Sequence, residues 1–457
     1  MIDRITGRFQ GDHLRARAMR GTAFTILLFG LQNVMRLGSN LILTRLLFPE
    51  AFGLMALVHV VVSGINLFSD IGMGSVVIRS PRGDDPVFLG TAFTVQAVRG
   101  VFLYGFVLLL APLAASFYDE PLLAGLIMLA GLQLIFAGFT SISQLTANRH
   151  LQLGRFTMLQ VIAQAISIGT MVVLAWYMRS VWALVIGGLL HPAIFMVFSH
   201  LFLPGPKIKL GLERAAVFEI FNFGKYIFLA TVAGFFIMHG DKAVLGKVVT
   251  LDVLAIFTVA LVFMQAVIDL SGNINQRIVF PLYAQRPPSE SAENWKAVAR
   301  ARWMLSIGAL SLGGILALIG DPLIKLLYDP RYEGAGPILV LLGVCILPRM
   351  IVMSYPRLAT AAGFAGRFAA YQIGVALVQT GLLIWLVNAI GIAGAPLAMA
   401  GAIFLTHPAL ILLARPFGGL DHVHDIITLT ASAAISALAL WLHWDAIRPL
   451  FPGAAPL

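Results

Sequence analysis

Four polar residues share one face of the first long apolar segment, 24–54. They are Asn33, Arg36, Asn40 and Thr44. At about 100° per residue, they fall within roughly 80° of one helical face. An arginine at membrane depth costs at least about 2.5–3.5 kcal/mol, so Arg36 is expected to face a bundle interior or a water-filled cavity. The face either only joins helices to one another or lines a cavity for a charged cargo, and we favour the second interpretation.

A second polar stripe lies in the apolar segment 251–281. Its members are Gln265, Asp269, Asn273, Gln276 and Arg277. They fall within about 120° of one helical face. Like the first stripe, this pattern predicts a helix side that faces away from lipid.

Four arginines lie deep in the apolar segments: Arg36, Arg99, Arg277 and Arg349. A guanidinium stays protonated in a low dielectric and can bind a phosphate through two parallel hydrogen bonds, whereas a buried lysine tends to lose its proton. This choice of residue favours an anionic cargo that carries phosphate.

Two carboxylates, Asp70 and Asp269, lie in the same apolar segments. The alternative to cargo binding is internal ion pairing, of Arg36 or Arg99 with Asp70 and of Arg277 with Asp269. Two carboxylates cannot neutralise all the arginines, so at least one basic group is expected to remain for a ligand. Asp70 and Asp269 have a second candidate role as H⁺ or Na⁺ sites that couple transport to an ion gradient.

No motif of an enzyme, a nucleotide site or a metal site is found. The patterns GxSxG, HExxH and Walker A are absent, so we predict no catalytic residue and no cofactor. Cys345 is the only cysteine, which excludes an intrachain disulfide and a Cys-based metal site. His422 and His424, beside Asp421 and Asp425, are interpreted as a solvated helix start rather than a metal site.

The composition that positions these residues is that of a membrane protein. Hydrophobic residues make up 59% of the chain and charged residues 11%, and the mean hydropathy is +0.90, which excludes an ordinary soluble domain. The net charge of +10 lies in short connections rather than in one basic stripe, so no nucleic acid is expected as a partner. Turn signals separate thirteen spans, of which the last is the weakest, giving 12–13 transmembrane helices: 22–47, 52–78, 87–111, 121–142, 155–178, 180–203, 218–240, 251–281, 302–327, 335–362, 366–388, 391–413 and 424–444.

The distribution of Lys and Arg among the connections predicts the orientation. Most of them fall on the side of the basic N-terminus, which is therefore expected to be cytoplasmic. The predicted domains are a basic N-terminus (1–21), an N-terminal six-helix bundle (22–203), a cytoplasmic linker (204–217), a C-terminal six-helix bundle (218–415) and an extra helix and tail (416–457).

An internal repeat supports two pseudo-symmetric halves. The segment 45–58, RLLFPEAFGLMALV, superposes on 247–260, KVVTLDVLAIFTVA. Arg45 matches Lys247, Glu50 matches Asp252, and the apolar positions that follow also match. Internal repeats with a cargo site between them are typical of transporters. We therefore expect an all-α polytopic membrane protein with two six-helix bundles around a central cavity.

Three runs, LILTRLLFPEAFGLMALV, LFSDIGMGSVVIR and GKVVTLDVLAIFTVA, resemble the polysaccharide transporter family of the multidrug/oligosaccharidyl-lipid/polysaccharide exporter superfamily. Members carry a basic residue, two apolar residues, a Gly-Pro-Glu-like turn and Phe-Gly here, and the residues FPEAFG at 48–53 match. The resemblance implies a flippase that moves undecaprenyl-diphosphate-linked oligosaccharides across the bacterial inner (cytoplasmic) membrane for capsule, exopolysaccharide or O-antigen synthesis. Expected partners are this lipid-linked saccharide, the bilayer and the polysaccharide polymerase and export machinery.

The resemblance also implies roles for individual residues. By position, Arg36, Arg45 and Arg277 correspond to the basic residues that meet the diphosphate in related flippases, and we add Arg99 from the analysis above. Sugar hydroxyls are expected to bind the amide side chains Asn33, Asn40, Gln265 and Asn273.

Two other functions are kept open. A cation-coupled multidrug exporter of the same superfamily would need acidic, aromatic-rich cavities. A membrane polysaccharide polymerase or ligase would need a sizeable outer loop for its catalytic groups, and the predicted outer connections are short. The preferred prediction is a transporter that is not an enzyme.

Overall fold

A computed structural model describes residues 14–150, 153–205 and 209–451 of the chain. Within these ranges every regular element is a helix, and no strand occurs. Eleven stretches of the described chain are long and apolar enough to cross a membrane, and the longest, Ala365–Phe417, contains two helices. The prediction of an all-α, multi-pass membrane protein is therefore confirmed.

The chain divides into two compact units. Unit 1 comprises Met1–Leu47 and Val61–Phe228, and unit 2 comprises Phe48–Val60 and Leu229–Leu457. The domain limits predicted from the sequence stay a prediction.

Unit 1 is built from long helices joined by short connections. Their bounds, including two helices that continue into unit 2 (α2 and α9), are α1 (Leu14–Leu46), α2 (Pro49–Leu67), α3 (Met73–Arg79), α4 (Pro86–Tyr118), α5 (Pro121–Phe139), α6 (Ser143–Arg149), α7 (Leu153–Met178), α8 (Val181–Phe202) and α9 (Arg214–Val248). Within the unit, α4 packs on α5, α7 on α8, and α1 on α7.

Predicted turn signals define the ends of α4. Asp85 caps its N-terminus by accepting a hydrogen bond from the backbone N–H of Val87, and Pro86 occupies the first turn, where its missing N–H costs nothing. The helix then crosses α5 at a glycine pair, because a Cβ on Gly100 would lie only 3.0 Å from the Cα of Gly138. Small residues at such a crossing let two helix backbones approach closely in a membrane.

Unit 2 contains the remaining helices. They are α10 (Leu251–Ile274), a π-helical turn (Asn275–Val279), α11 (Phe280–Gln285), α12 (Ala292–Leu327), α13 (Ala335–Val352), α14 (Pro356–Ala361), α15 (Ala365–Ile390), α16 (Gly394–Ala414), α17 (His422–Leu442) and α18 (Trp444–Ile447). Helix α13 is central, since it packs against α10, α12, α16 and α17.

The two copies of the internal repeat meet inside unit 2. Gly53, of the first copy, lies against the backbone of Leu251, of the second, so closely that a Cβ would overlap the Leu251 carbonyl. The neighbouring Phe52 packs edge-on against Tyr332, with ring centroids 6.1 Å apart. Gly53 of the Phe-Gly motif therefore allows the first turns of α2 and α10 to pack closely.

Several predicted spans are interrupted or extended. The span 52–78 is broken after α2, where Gly72 adopts a positive φ of 64°. The span 335–362 is broken between α13 and α14, ahead of Pro356. The predicted span 302–327 is extended towards its N-terminus, because α12 begins at Ala292 and its 36 residues exceed the roughly 20 that cross a bilayer. Its first turns therefore extend beyond the hydrocarbon region.

Candidate functional site

Three of the four residues predicted for the polar face of α1 are at least partly exposed. Arg36 is exposed, its Nη2 donates a hydrogen bond to Asn33 Oδ1 at 2.9 Å, and Asn33 and Asn40 are half-buried. Thr44 is fully buried and its hydroxyl donates to the Leu41 carbonyl, so it does not contribute to the face. Arg45 is exposed in the last turn of the helix, where a positive charge complements the carbonyl end.

Helix α1 also exposes an apolar face on its opposite side. Leu27 and Val34 are 68% and 65% exposed, and at about 100° per residue they point roughly 160–180° away from Arg36. The apolar side suits lipid contact. The side that carries Arg36 would be costly in lipid and suits water or a polar ligand.

Arg99 lies on α4 and binds the end of α2 within unit 1. Its Nε donates to the Ser69 carbonyl at 3.0 Å, and its Nη2 lies 2.7 Å from the Asn66 carbonyl and 2.8 Å from Ser69 Oγ. Asp70, the carboxylate considered as its partner, accepts a hydrogen bond from the Gly72 backbone N–H at 2.8 Å. The guanidinium thus satisfies carbonyls at a helix end, and its contact with a diphosphate stays a prediction.

The stripe on α10 is organised around Asp269. Gln265 Nε2 donates to Asp269 Oδ1 at 2.7 Å, and Asn273 Nδ2 donates to the Asp269 carbonyl at 2.7 Å. The helix then passes into the π-helical turn Asn275–Val279, a distortion often found at functional sites. Arg277 lies in this turn, and its side chain is outside the described part of the chain.

A cavity lies wholly within unit 2 and was not predicted. Its volume is about 240 Å³. Its described lining includes two arginines and no carboxylate. The polar lining residues are Asn275, Arg349, Arg357, Tyr371, Gln372, Gln379 and Thr406. They come from the π-helical turn and from α13, α14, α15 and α16.

The two arginines of this cavity have no counter-charge among the described residues. Arg349 is close enough to Tyr371 for an electrostatic interaction, and the Arg357 guanidinium lies 5.8 Å from the Phe368 ring centroid. A cation–π contact contributes only about 0.5–2 kcal/mol. Burying a guanidinium without a partner costs more than that, so the cavity suits water and anions.

A buried polar network joins α11, α12, α17 and the turn that precedes α14 in unit 2. Arg302 donates to the hydroxyls of Tyr355 and Tyr283, each at 3.3 Å, and its guanidinium lies 4.2 Å from the Tyr355 ring centroid. Tyr355 in turn donates to the Asp425 carboxylate at 2.7 Å. The network places the Arg302 charge and the Asp425 charge on either side of one hydroxyl.

His424 belongs to the same network. A carboxylate can only accept, so Nδ1–H donates to Asp425 Oδ1 at 2.9 Å, while Nε2 lies 3.0 Å from Ser306 Oγ. Its side chain is fully buried, whereas His422 is exposed. The interpretation of this segment as a solvated helix start is therefore wrong for His424.

Ion pairs connect the polar turn before α4 to other parts of unit 1. Arg82 binds Asp85 at 2.7 Å and Glu213 at 2.6 Å. The hydrogen bond that Arg82 donates lowers the pKa of Asp85, and the hydrogen bond that His150 donates lowers the pKa of Asp84. In both cases the hydrogen bonds outweigh the smaller effect of desolvation, so Asp84 and Asp85 are ionised at neutral pH.

Among the residues that the structure describes, no three His, Cys, Asp or Glu side chains are grouped as metal ligands. The candidate role of Asp70 and Asp269 as H⁺ or Na⁺ sites stays a prediction.

Comparison with known proteins identifies the family. The family model described as "Polysaccharide biosynthesis protein" matches residues 42–337, well over half of the chain. The chain belongs to this family. It is similar to the teichuronic acid biosynthesis protein TuaB of Bacillus subtilis (strain 168), with 20% identity over 332 residues that cover 69% of this chain and 67% of TuaB.

Solved structures share the fold at low sequence identity. The lipid II flippase MurJ in an inward closed conformation has a TM-score of 0.67 at 12% identity, covering 93% of this chain and 99% of MurJ. An inward-facing multidrug resistance MATE transporter of the MOP superfamily has a TM-score of 0.61 at 13% identity, covering 89% of this chain and 96% of the transporter. The polysaccharide family inferred from the sequence is confirmed by the family match, and the fold expected from that resemblance is the one that these solved structures share.

Proposed function

We propose that this chain is a flippase for a polyprenyl-diphosphate-linked oligosaccharide. It would act by alternating access in the bacterial inner membrane, with a cytoplasmic N-terminus, and supply surface polysaccharide synthesis. The family supports a saccharide cargo, since it is described as a polysaccharide biosynthesis family, and the similar protein TuaB is named for teichuronic acid biosynthesis. The fold shared with the lipid II flippase MurJ is compatible with a lipid-linked cargo.

The observation that carries the proposal is the exposed Arg36 on the polar side of α1, opposite an apolar side suited to lipid. In this proposal Arg36, with Asn33 held against it, binds the diphosphate, because a guanidinium forms two parallel hydrogen bonds to phosphate oxygens. Asn40 binds sugar hydroxyls.

Unit 2 would contribute its own polar residues. The amides of Gln265 and Asn273 are held on one side of α10 by Asp269 and would bind further sugar hydroxyls. Arg277, in the π-helical turn, would bind phosphate. Arg99 would act mainly by fixing the end of α2, and Arg45 would attract the anionic headgroup from the end of α1.

The arginines of the unit 2 cavity also help to judge the alternative function, a cation-coupled multidrug exporter. A cavity for cationic drugs needs carboxylates and aromatic faces. The described cavity of unit 2 contains two arginines and no carboxylate. A cationic drug would therefore be disfavoured in that cavity.

A complementation experiment tests the proposal. A strain that lacks the gene and makes no surface polysaccharide is supplied with the wild-type protein, Arg36→Gln, Arg36→Lys or Arg155→Gln. Arg155 is an exposed arginine of the same unit outside the polar face of α1. We expect Arg155→Gln to restore wild-type polysaccharide, Arg36→Lys to restore part of it, and Arg36→Gln to restore less than about a tenth, since one charge-assisted hydrogen bond contributes about 1.5–3 kcal/mol.

Membrane levels of each variant are measured by immunoblot. Wild-type polysaccharide from Arg36→Gln, at an equal protein level, would remove this arginine from the cargo site. A lipid-linked precursor that fails to accumulate in the deletion strain would contradict the flippase function itself.

A further inference from the structure

We propose that the cavity inside unit 2 is a binding site for an oxyanion, a phosphate or a carboxylate, held by Arg349 and Arg357. The site lies in unit 2 and is formed by residues other than the polar face of α1, so it goes beyond the proposed function and is tested separately.

Charge is the first argument for this site. Both guanidiniums line one cavity, and neither forms a hydrogen bond or an ion pair with a described residue. The nearest interactions are with neutral aromatic groups, Tyr371 for Arg349 and Phe368 for Arg357. Two positive charges that line one small cavity favour an anion inside it, and an oxyanion would supply acceptors for their N–H groups.

The choice of residue supports the same conclusion. Arginine keeps its charge when it is desolvated, and its planar group matches the spacing of phosphate and carboxylate oxygens. Arg349 lies in the last turn of α13 and Arg357 near the start of α14, on either side of the break at 353–355. The predicted continuous span 335–362 is therefore two helices with one arginine each, and both arginines line the same cavity.

The remaining polar lining fits a ligand that also carries hydroxyl groups. Asn275 is buried, and its Nδ2 donates to the Met353 carbonyl at 3.0 Å, which orients the amide. Its Oδ1 is buried without a hydrogen-bond partner among the described residues. Buried amide oxygens nearly always accept a hydrogen bond, so an O–H group of a ligand or a water is expected there.

The volume limits the size of the ligand. The cavity of about 240 Å³ corresponds to about eight water molecules at roughly 30 Å³ each. That space holds a phosphate, a diphosphate or one acidic sugar, and it is too small for an oligosaccharide.

Binding of three probes to the purified, full-length protein in lipid nanodiscs tests the site. The probes are inorganic pyrophosphate, glucuronate and a short-chain polyprenyl diphosphate, and the readout is the rise in unfolding temperature with probe concentration. The variants are Arg349→Gln, Arg357→Gln and Arg349→Lys. The control is Arg367→Gln, an exposed arginine at the start of α15 that packs on Phe364 and does not line the cavity.

At least one probe should stabilise the wild type and Arg367→Gln alike. Half-maximal stabilisation of either glutamine variant should need at least about tenfold more probe, because each loses a charge-assisted contact. Arg349→Lys keeps the charge and should lie between them, and it preserves the test if Arg349→Gln does not accumulate. A response to pyrophosphate identifies a free phosphate, one to glucuronate a sugar acid, and one to the polyprenyl diphosphate alone a lipid headgroup.

The proposal is overturned if no probe stabilises the wild type, or if both glutamine variants respond as the wild type does. Those results would leave the flippase proposal untouched, because it is tested by polysaccharide output and by Arg36 variants. Conversely, a wild-type protein that binds a probe but does not transport a lipid-linked saccharide would contradict the flippase proposal and support the anion site.

Discussion

The hydroxyl of Tyr355 connects two charges inside unit 2, and Tyr355→Phe removes that hydroxyl while leaving the ring. The oxygen lies 2.7 Å from the Asp425 carboxylate and 3.3 Å from Arg302 Nη1. The variant therefore leaves a half-buried carboxylate and a fully buried guanidinium each with one partner fewer. Arg302 keeps its contact with Tyr283, and Asp425 keeps its contact with His424.

The size of the effect follows from these contacts. A hydrogen bond to a charged group contributes about 1.5–3 kcal/mol, and the partners that remain soften the loss. We expect a loss of about 2 kcal/mol in the free energy of opening, which corresponds to a roughly thirtyfold larger opened population.

The single cysteine provides the assay. Cys345 lies in α13 and is only 4% exposed, so a thiol-reactive fluorogenic maleimide labels it when the unit opens. Tyr355→Phe should label roughly thirtyfold faster than the wild type at the same pH and temperature. Tyr332→Phe is the matched control, because the Tyr332 hydroxyl is buried without a partner among the described residues. Equal labelling of Tyr355→Phe and wild type, or equally fast labelling of both variants, would refute the reasoning.

Two further predictions concern packing and pH. Gly53→Ala should destabilise the protein by about 1–3 kcal/mol and lower the folded yield, because its Cβ would overlap the Leu251 carbonyl. The control Gly308→Ala lies in open space on α12 and should be neutral or slightly stabilising. Equal folded yields of the two variants in fluorescence-detected gel filtration would contradict this prediction. Arg82 holds the pKa of Asp85 below its usual value of 3.8, so the stability that this carboxylate contributes is complete above pH 3.8 and is lost as the pH falls through the lower pKa of the folded state. The difference in unfolding temperature between wild type and Asp85→Asn should therefore be constant above pH 3.8 and shrink below it, and a difference that grows on acidification would contradict the sign.

Much of the fold follows from local signals. The polar turns before Pro86 and Pro121 lie between helices as predicted, since capping and proline act within a few residues. The stripe of Gln265, Asp269 and Asn273 also lies on one side of α10, because helical periodicity alone fixes it.

The rest depends on contacts between residues far apart in the chain. Periodicity assigns Thr44 to the polar face of α1, but packing buries it. The sequence shows an arginine at position 99, but not that the end of α2 lies within its reach. His424 is buried, and its Nε2 contacts Ser306, a residue 118 positions away in the chain.

The cavity of unit 2 illustrates the same limit. Arg349 and Arg357 were visible as two arginines in one predicted span, which was the only signal available. That they share a cavity depends on α15 and α16, which supply Tyr371 and Thr406. No pattern within a single helix contains that information.

The most direct test of the central claim is transport by the purified protein in proteoliposomes. A fluorescent polyprenyl-diphosphate oligosaccharide is loaded in one leaflet, and its appearance in the other is followed by quenching, with and without an imposed H⁺ or Na⁺ gradient. We predict protein-dependent transfer by the wild type and by Arg155→Gln, and at least about tenfold slower transfer by Arg36→Gln. Transfer no faster than in protein-free vesicles under every gradient would contradict the account.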